Sequence, residues 1–166
     1  SRISNPLIDQ LHSLNLMESG CATKFVPDAY KLANGWVRRA VLAGLIDTDG
    51  HHDGKGGYDF ISKSTQLASD VVFIARSLGM RASCKPAWKT DQSGNGGWYM
   101  RVSISGHTHT IPCKVARKKP AIRMQIKNPL VSGFAVTKLK KGDYFGFTTD
   151  GDHLYLTADF TVHHNS

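Results

Sequence analysis

The stretch from Asn34 to Gly50 constrains the fold of this chain more than any other. Its apolar residues recur at helical spacing, Asn34 is a suitable N-cap and Gly50 is a suitable stop. Gly44 shares one helical face with Val41, and so small a residue lets a second helix pack closely. Asp49 stands at the helix end, where it can present an acid to an adjoining sheet. We therefore predict a helix that can pack closely against a second helix and that ends in an acid.

Further elements are predicted on both sides of that helix. The apolar spacing indicates an earlier helix over about residues 7–16 and, after a glycine-rich loop, a strand at Tyr58–Lys63. Another helix is predicted over about Gln66–Leu78, with Gly79 ending it. Two strands follow, separated by the turn-rich run at residues 93–97. The fold class expected from this order is α+β.

Apolar and polar side chains alternate with a period of two in the last two strands, so each has one polar face. The polar positions are Arg81, Ser83 and Lys85 in the first strand and Tyr99, Arg101 and Ser103 in the second. An ordinary half-exposed antiparallel sheet is the simplest interpretation of such a pattern. The cationic character of this face adds a second interpretation, which is a binding surface.

The charge of the chain is unevenly distributed. Its formal charge is +8, but residues 71–142 hold 14 bases and only one acid, Asp91. That window therefore carries +13 and the remainder carries −5. A solvated lysine-rich surface would explain part of the excess, but a local excess of this size favours a polyanionic partner.

Composition excludes several other classes of protein. No run of 18 or more apolar residues exists, so we expect no membrane partner. The N-terminal residues do not show the basic and then apolar pattern of a signal peptide, so we expect none. The three cysteines, Cys21, Cys84 and Cys113, are widely separated and form no C-x-x-C pair. We therefore expect neither a disulfide framework nor a structural zinc site, and we expect a reducing, intracellular and cytoplasmic setting.

The segment Leu42–Gly50 reads LAGLIDTDG and resembles the LAGLIDADG signature at eight of nine positions, with Thr48 the departure. Lys24–Pro27 is similar to the K-x-I-P element that precedes the second such helix in many intein endonucleases. The chain thus resembles the second half of a two-motif LAGLIDADG homing endonuclease. The resemblance implies an αββαββ-like half-domain and a double-stranded DNA target.

The same resemblance implies a metal-assisted hydrolysis of DNA. Asp49 would hold Mg²⁺, and a lysine would stabilise the developing charge; Lys118 is the first candidate, followed by Lys119 and Lys114. It is equally open that these lysines only contact phosphates. The six polar strand residues would lie in the major groove and read base edges.

The character of the chain changes near residue 130. Four short strands are predicted, at Phe134–Leu139, Tyr144–Thr149, Leu154–Leu156 and Phe160–His163. Because a hairpin unit of this size rarely folds alone, we expect it to pair with a partner outside this chain. The predicted division is an endonuclease portion at 1–129, a splicing-domain segment at 130–165 and one flanking residue at 166.

The C-terminal run His164-Asn165-Ser166 resembles the C-terminal splice junction of inteins. The segments at 144–148 and 152–153 are similar to the preceding intein block. The second part of the chain would then be the C-terminal strands of an all-β intein splicing domain. An N-terminal intein fragment and flanking exteins would be its partners, as in a split intein.

The resemblance implies a role for each residue of the junction. The Asn165 side-chain amide would attack its own backbone carbonyl and cut the bond to Ser166, with no cofactor. His164 would polarise that carbonyl or protonate the leaving amine, and His153 would act as base or polariser. Ser166, the first residue of the downstream extein, would accept the upstream acyl group.

Three functions are compatible with the sequence. The first is protein splicing by a C-terminal intein fragment that also carries a Mg²⁺-dependent homing endonuclease region. The second is a DNA-binding or homing endonuclease module in which splicing has been lost. The third is a maturase-like nucleic-acid binder built on the same helix.

Overall fold

The computed structural model describes residues 5–90, 93–120, 122, 128, 131 and 133–165. The chain divides into two compact units, Ser1–Leu130 and Val131–Ser166. Each unit is described by itself. The assignment of the two units to an endonuclease and to a splicing domain stays a prediction.

Four helices begin at recognisable caps or prolines. They are α1 (Pro6–Ser13), α2 (Asp28–Lys31), α3 (Gly35–Asp49) and α4 (Thr65–Ser77). The side chain of Asn34 accepts a hydrogen bond from the Val37 amide and so caps α3, as predicted. Gly79, at φ +77, lets the chain leave α4 in a left-handed conformation. No helix in the described part of the chain is long and apolar enough to cross a membrane.

Four antiparallel strands form the sheet of the first unit. They are β1 (Gly50–His52), β2 (Tyr58–Ser62), β3 (Arg81–Thr90) and β4 (Gly96–Ser105), in the order β1-β2-β4-β3. From α3 onward the order of elements is α-β-β-α-β-β. The predicted α+β class is therefore confirmed. The sequence did not predict β1, because its three residues are too few to show an alternating pattern.

The core lies between α3, α4 and one face of the sheet. Alternation along the strands sends Phe60 and Val102 to this face, where they meet Leu42 and Ile46 of α3 and Ile74 of α4. All five side chains are fully buried. The apolar side chains of the strands are thus used on the helical face, which leaves the opposite face of the sheet to polar residues.

A buried carboxylate connects α4 to the segment that precedes α3. Asp70 accepts hydrogen bonds from the Val26 amide at 2.8 Å, from Lys31 Nζ at 3.0 Å and from Gln66 Nε2 at 2.9 Å. Ser64, the N-cap of α4, donates its hydroxyl to the Lys24 carbonyl at 2.6 Å. Residues 24–26 are therefore held against α4 by polar contacts that have no hydrophobic signature in the sequence.

The second unit contains one hairpin among its described residues, β5 (Leu154–Leu156) paired with β6 (Val162–His164). The strands predicted at Phe134–Leu139 and Tyr144–Thr149 are wrong for this structure, because residues 134–149 form no strand. Phe134 is 90% exposed and Tyr144 is 93% exposed. An alternating pattern needs a neighbouring strand to bond with, and the hairpin does not supply one to these segments.

Candidate nucleic-acid interface and helix-end site

The outer face of the sheet collects the six polar residues predicted to bind DNA. Strand pairing places Ser83 opposite Ser103 and Lys85 opposite Arg101. Arg81 lies at the start of β3, and Tyr99 faces Ala87 nearer the hairpin tip. Five of the six side chains are exposed and Tyr99 is half-buried. The structure thus brings all six onto one surface of two adjacent strands.

An acid that the sequence analysis missed lies on the same surface. Asp59 of β2 pairs in register with Ser103 of β4. Its Oδ2 accepts a hydrogen bond from Arg101 Nη2, and its Oδ1 accepts one from Ser103 Oγ at 2.8 Å. The Arg101 guanidinium lowers the pKa of the Asp59 carboxyl below its ordinary value. The sequence suggested a cationic surface, but the structure adds a carboxylate to it.

Asp49 is the last residue of α3, one position before the edge strand β1. Gly50 makes this direct transition possible, because a Cβ at that position would lie 2.8 Å from the Ile46 Cα. The Asp49 side chain is exposed. It receives no hydrogen bond within residues 5–90 and 93–120, so its oxygens are open to an external ligand. The acid therefore stands where the helix meets the edge of the sheet.

The other acid of the motif has an internal role. Asp47 accepts a hydrogen bond from the Lys114 amide at 2.7 Å and one from the Val115 amide at 3.2 Å. It thereby holds the chain that leads into the short 3-10 helix Ala116–Lys118. The two acids of Leu42–Gly50 consequently have different surroundings, because Asp47 is bound internally and Asp49 is exposed.

Lys118 is almost completely buried, with 2% of its surface exposed. Its Nζ donates to the carbonyls of Ile46 at 2.8 Å, Asp47 at 2.9 Å and Thr48 at 3.3 Å. The Ile46 carbonyl also accepts the Gly50 amide, whereas the carbonyls of Asp47 and Thr48 lie in the last turn of α3, at the negative end of the helix dipole. The structure thus brings Lys118 to the same helix end as Asp49. Three carbonyls occupy its three N–H groups.

The metal-binding capacity of this site rests on Asp49. No group of three or more His, Cys, Asp or Glu side chains in the described residues is arranged to hold a metal ion. A single exposed carboxylate nevertheless suits Mg²⁺, which is commonly bound through one or two carboxylates while keeping several waters. Asp49 therefore fits the role of one ligand, and a second acid would have to come from another helix.

One face of α3 is open to such a helix. Trp36 is 71% exposed, and the positions of Ala40 and Gly44, four and eight residues later, are exposed as well. A Cβ placed on Gly44 would meet nothing within 4 Å. Thr48 continues this face, and its hydroxyl lies 3.1 Å from the carbonyls of Gly44 and Leu45. The small residues leave room for close helix packing, as the sequence predicted.

The hairpin of the second unit brings the predicted junction residues close together. The backbone amide of Asn165 donates a hydrogen bond to the backbone carbonyl of His153 at 2.9 Å. The rings of His153 and His164 have centroids 6.0 Å apart. The neighbouring His163 instead stacks on Tyr155, with centroids 5.4 Å apart. Ser166 lies outside the described residues.

Comparisons with known proteins found one matching family and several similar proteins. A family described as "homing endonuclease" matches residues 26–131. The chain is 25% identical over 177 residues to the catalytic subunit of the V-type proton ATPase of Candida tropicalis, an alignment that covers 99% of this chain and 16% of that protein. It is 36% identical over 72 residues to the replicative DNA helicase DnaB of Mycobacterium intracellulare, covering 43% of this chain and 12% of that protein. The chain thus spans less than a fifth of either relative.

The buried ammonium of Lys118 generates a stability prediction. Lys118→Met keeps the apolar stem but removes the buried donor that the Asp47 and Thr48 carbonyls share, so we expect a loss of about 2–4 kcal/mol in the free energy of unfolding. Lys119→Met, an exposed change of the same kind, should stay within about 0.5 kcal/mol of the parent. Urea denaturation of the full chain measures both. Equal stabilities of the two variants would refute the capping role.

The Asp59–Arg101 ion pair generates a pH prediction. Because Arg101 lowers the folded-state pKa of Asp59, the pair stabilises the fold above the ordinary carboxyl pKa, and this contribution disappears as the pH falls through the lower folded value. Arg101→Ala should return the pKa of Asp59 toward its ordinary value. Arg81→Ala, on the same face, should not. NMR titration of the Asp59 carboxyl carbon reads the difference.

Proposed function

The chain belongs to the homing endonuclease family and is therefore a DNA endonuclease module, and from this premise we propose that it is one half of a LAGLIDADG-type enzyme whose metal-binding acid is Asp49. The observation that carries the proposal is the direct transition from α3 to β1 through Gly50. That transition puts an open carboxylate beside the edge of a sheet whose outer face carries the predicted DNA-binding residues. The proposed metal site and the proposed DNA-binding surface thus belong to the same helix and sheet of the first unit.

In this proposal the outer face of the sheet lies in the major groove of duplex DNA. A two-stranded β-ribbon fits that groove, and its alternate side chains reach base edges. Lys85 and Arg101 are directly opposed across β3 and β4, and Ser83 and Ser103 form the next pair. Arg81 and Lys85 supply charge for phosphates, whereas the hydroxyls and Arg101 supply directional hydrogen bonds. Binding should therefore combine salt-dependent affinity with sequence readout.

The hydrolytic step is proposed to take place at the end of α3. Asp49 would hold Mg²⁺ together with an acid of a second helix, and such an ion would supply Lewis acidity for the hydrolysis. Lys118 neutralises the helix end beside Asp49, and its Nζ can contact a phosphate only by giving up carbonyl partners. The exposed Lys114 and Lys119 are free of that restriction and remain candidates for phosphate contact.

The second helix is proposed to come from a further copy of the same motif. The open face of α3 has small residues at Ala40, Gly44 and Thr48, beyond the exposed Trp36, and this part of the face fits a helix that crosses at close range. Such a pairing would place two helix-end acids next to each other, which Mg²⁺ coordination favours. A matching half therefore completes both the helix packing and the metal site.

Removing the Asp49 carboxylate tests the endonuclease proposal. With a matching second half of the enzyme supplied, Asp49→Asn should lower Mg²⁺-dependent cleavage or nicking of a plasmid pool with randomised inserts by about a thousandfold, because several kcal/mol of charge stabilisation are lost. Duplex binding should be retained, since Asp49 lies outside the sheet face. Asp28→Asn, with the same charge change on α2, should cleave like the parent.

The same assay separates the alternatives. Cleavage by Asp49→Asn at the parental rate would contradict the assignment of the metal-binding acid. Salt-sensitive binding of any duplex, without cleavage by the parent protein, would favour a DNA-binding module. Preference for RNA over duplex DNA would favour the maturase-like binder.

A second candidate function, protein splicing, is favoured by the placement of Asn165. Asn165 follows His164 directly in the chain, and the hydrogen bond between the Asn165 and His153 backbones holds it beside His153. In the proposed reaction the Asn165 side-chain nitrogen attacks the Asn165 carbonyl carbon, a succinimide forms, and the bond to Ser166 breaks. His164 protonates the leaving amine and His153 polarises the carbonyl. Before this cleavage the Ser166 hydroxyl accepts the upstream acyl group as an ester, and the Ser166 amine freed by the cleavage then takes that acyl group in an O-to-N shift.

Two further observations support the splicing proposal. Two relatives of this chain are, by name, the catalytic subunit of a proton ATPase and a DNA helicase, and a segment shared by proteins of such different activity is what a mobile insert would produce. In addition, Phe134, Tyr144 and Phe145 are exposed apolar side chains of the second unit. An N-terminal splicing fragment is proposed to cover them by adding strands to residues 134–149, with exteins flanking the joined domain.

Replacing Asn165 tests the splicing proposal. With a reporter peptide fused after Ser166 and an N-terminal splicing fragment added, the parent chain should release the reporter, and mass spectrometry should show the succinimide. Asn165→Ala should abolish release because it removes the only nucleophile at that bond. His163→Ala should still release, since His163 stacks on Tyr155 instead of joining the junction. Release from Asn165→Ala would contradict the proposed chemistry.

A further inference from the structure

We propose that Asp59 is a specificity-determining positioning residue, which orients Arg101 to read a guanine in the DNA target. This inference rests on the proposed placement of the outer sheet face against DNA. It adds a residue from a third strand to that face. The role of Asp59 is to act through Arg101, without itself taking part in the hydrolysis.

The geometry engages both oxygens of the Asp59 carboxylate. Arg101 Nη2 donates to Oδ2 and Ser103 Oγ donates to Oδ1 at 2.8 Å. Asp59 and Ser103 are directly paired between the two inner strands, β2 and β4, so the acid rests on the most firmly held part of the sheet. The Asp59 side chain is 18% exposed, and that of Arg101 is 50% exposed. The acid is thus shielded while the guanidinium remains accessible.

An arginine held in this way is suited to base recognition. A guanidinium carries five N–H groups in a planar fork, and the contact with Asp59 occupies only part of them. The commonest base-specific contact of arginine is a bidentate pair of hydrogen bonds to guanine O6 and N7. A carboxylate that fixes the long side chain before binding reduces the rotamer entropy lost in forming that contact. Orientation by Asp59 therefore favours guanine at one position.

The charge of Asp59 argues against a purely electrostatic role for this face. A carboxylate at the centre of a phosphate-binding surface lowers its affinity for any duplex, and an exposed ion pair contributes little to stability. Arg81 and Lys85 lie on the neighbouring β3, where no acid of the described residues is paired with them in register. In this arrangement β3 supplies the phosphate contacts, whereas β4 supplies Arg101, whose orientation is fixed by Asp59.

Affinity selection from a randomised duplex pool tests this inference with the full chain. The parent should enrich guanine at one position, and Arg101→Ala should lose that preference. Asp59→Asn should lower discrimination at the same position by about tenfold and leave other positions unchanged. Its binding to unselected DNA should become stronger, with a salt dependence steeper by about one charge, because the freed guanidinium can contact a phosphate.

Controls separate positioning from folding and from charge. Asp28→Asn makes the same charge change on α2 and should leave both the selected sequence and its enrichment unchanged. Asp59→Glu restores the charge and should recover part of the discrimination. Thermal unfolding should be nearly the same for all these variants. An unchanged preference for guanine in Asp59→Asn would overturn the inference. A preference for cytosine that is lost only when Asp59 is replaced would also overturn it, because Asp59 would then contact the base directly.

The outcome also distinguishes this inference from the proposed function. If the parent enriches no sequence from the pool, the assignment of the outer sheet face to DNA readout is wrong. If the parent enriches a sequence and Arg101→Ala changes it while Asp59→Asn does not, only the role of Asp59 is wrong.

Discussion

The capped end of α3 is the interaction on which the rest of the first unit depends. The Lys118 ammonium is bound to three carbonyls of the last helical turn, and the Tyr58 hydroxyl donates to the Lys118 carbonyl at 2.5 Å. Burial raises the pKa of Tyr58, so this hydroxyl stays protonated and remains a donor. A helix, a strand and the chain after β4 therefore meet at one point. Gly50 then carries the backbone from that point into the sheet.

This construction has a consequence for the candidate active site. A buried ammonium next to the last carbonyls of α3 offsets the negative end of the helix dipole, which would otherwise add to the charge of Asp49. It also fixes the backbone on which Asp49 stands. The lysine that sequence reasoning selected for catalysis is thus, in the structure, a residue that builds the site. Its contribution to hydrolysis would act through the position and the electrostatics of Asp49.

The sequence predicted the elements better than it predicted their contacts. The Asn34 cap and the Gly50 stop bounded α3 because caps are local, and the period of two put Arg101 and Ser103 on one face. Asp59 was missed because its partners depend on the register between β2 and β4, and these partners lie 42 and 44 residues after it in the chain. The strands expected at residues 134–149 failed for a related reason. Alternation indicates which side chains share a face, but it does not reveal whether a partner strand is available.

The division of labour between the two acids of the motif follows from helix geometry. Residues two positions apart on a helix do not share a face, so Asp47 and Asp49 cannot both point toward one ligand. Asp47 accepts the amides of Lys114 and Val115, and this contact draws the chain that carries Lys118 under the helix end. Asp49 is thereby left on the opposite side, exposed at the junction with β1. The internal acid holds in place the lysine that binds the helix end, so the spacing of the motif gives one acid to the fold and leaves the other exposed at the candidate site.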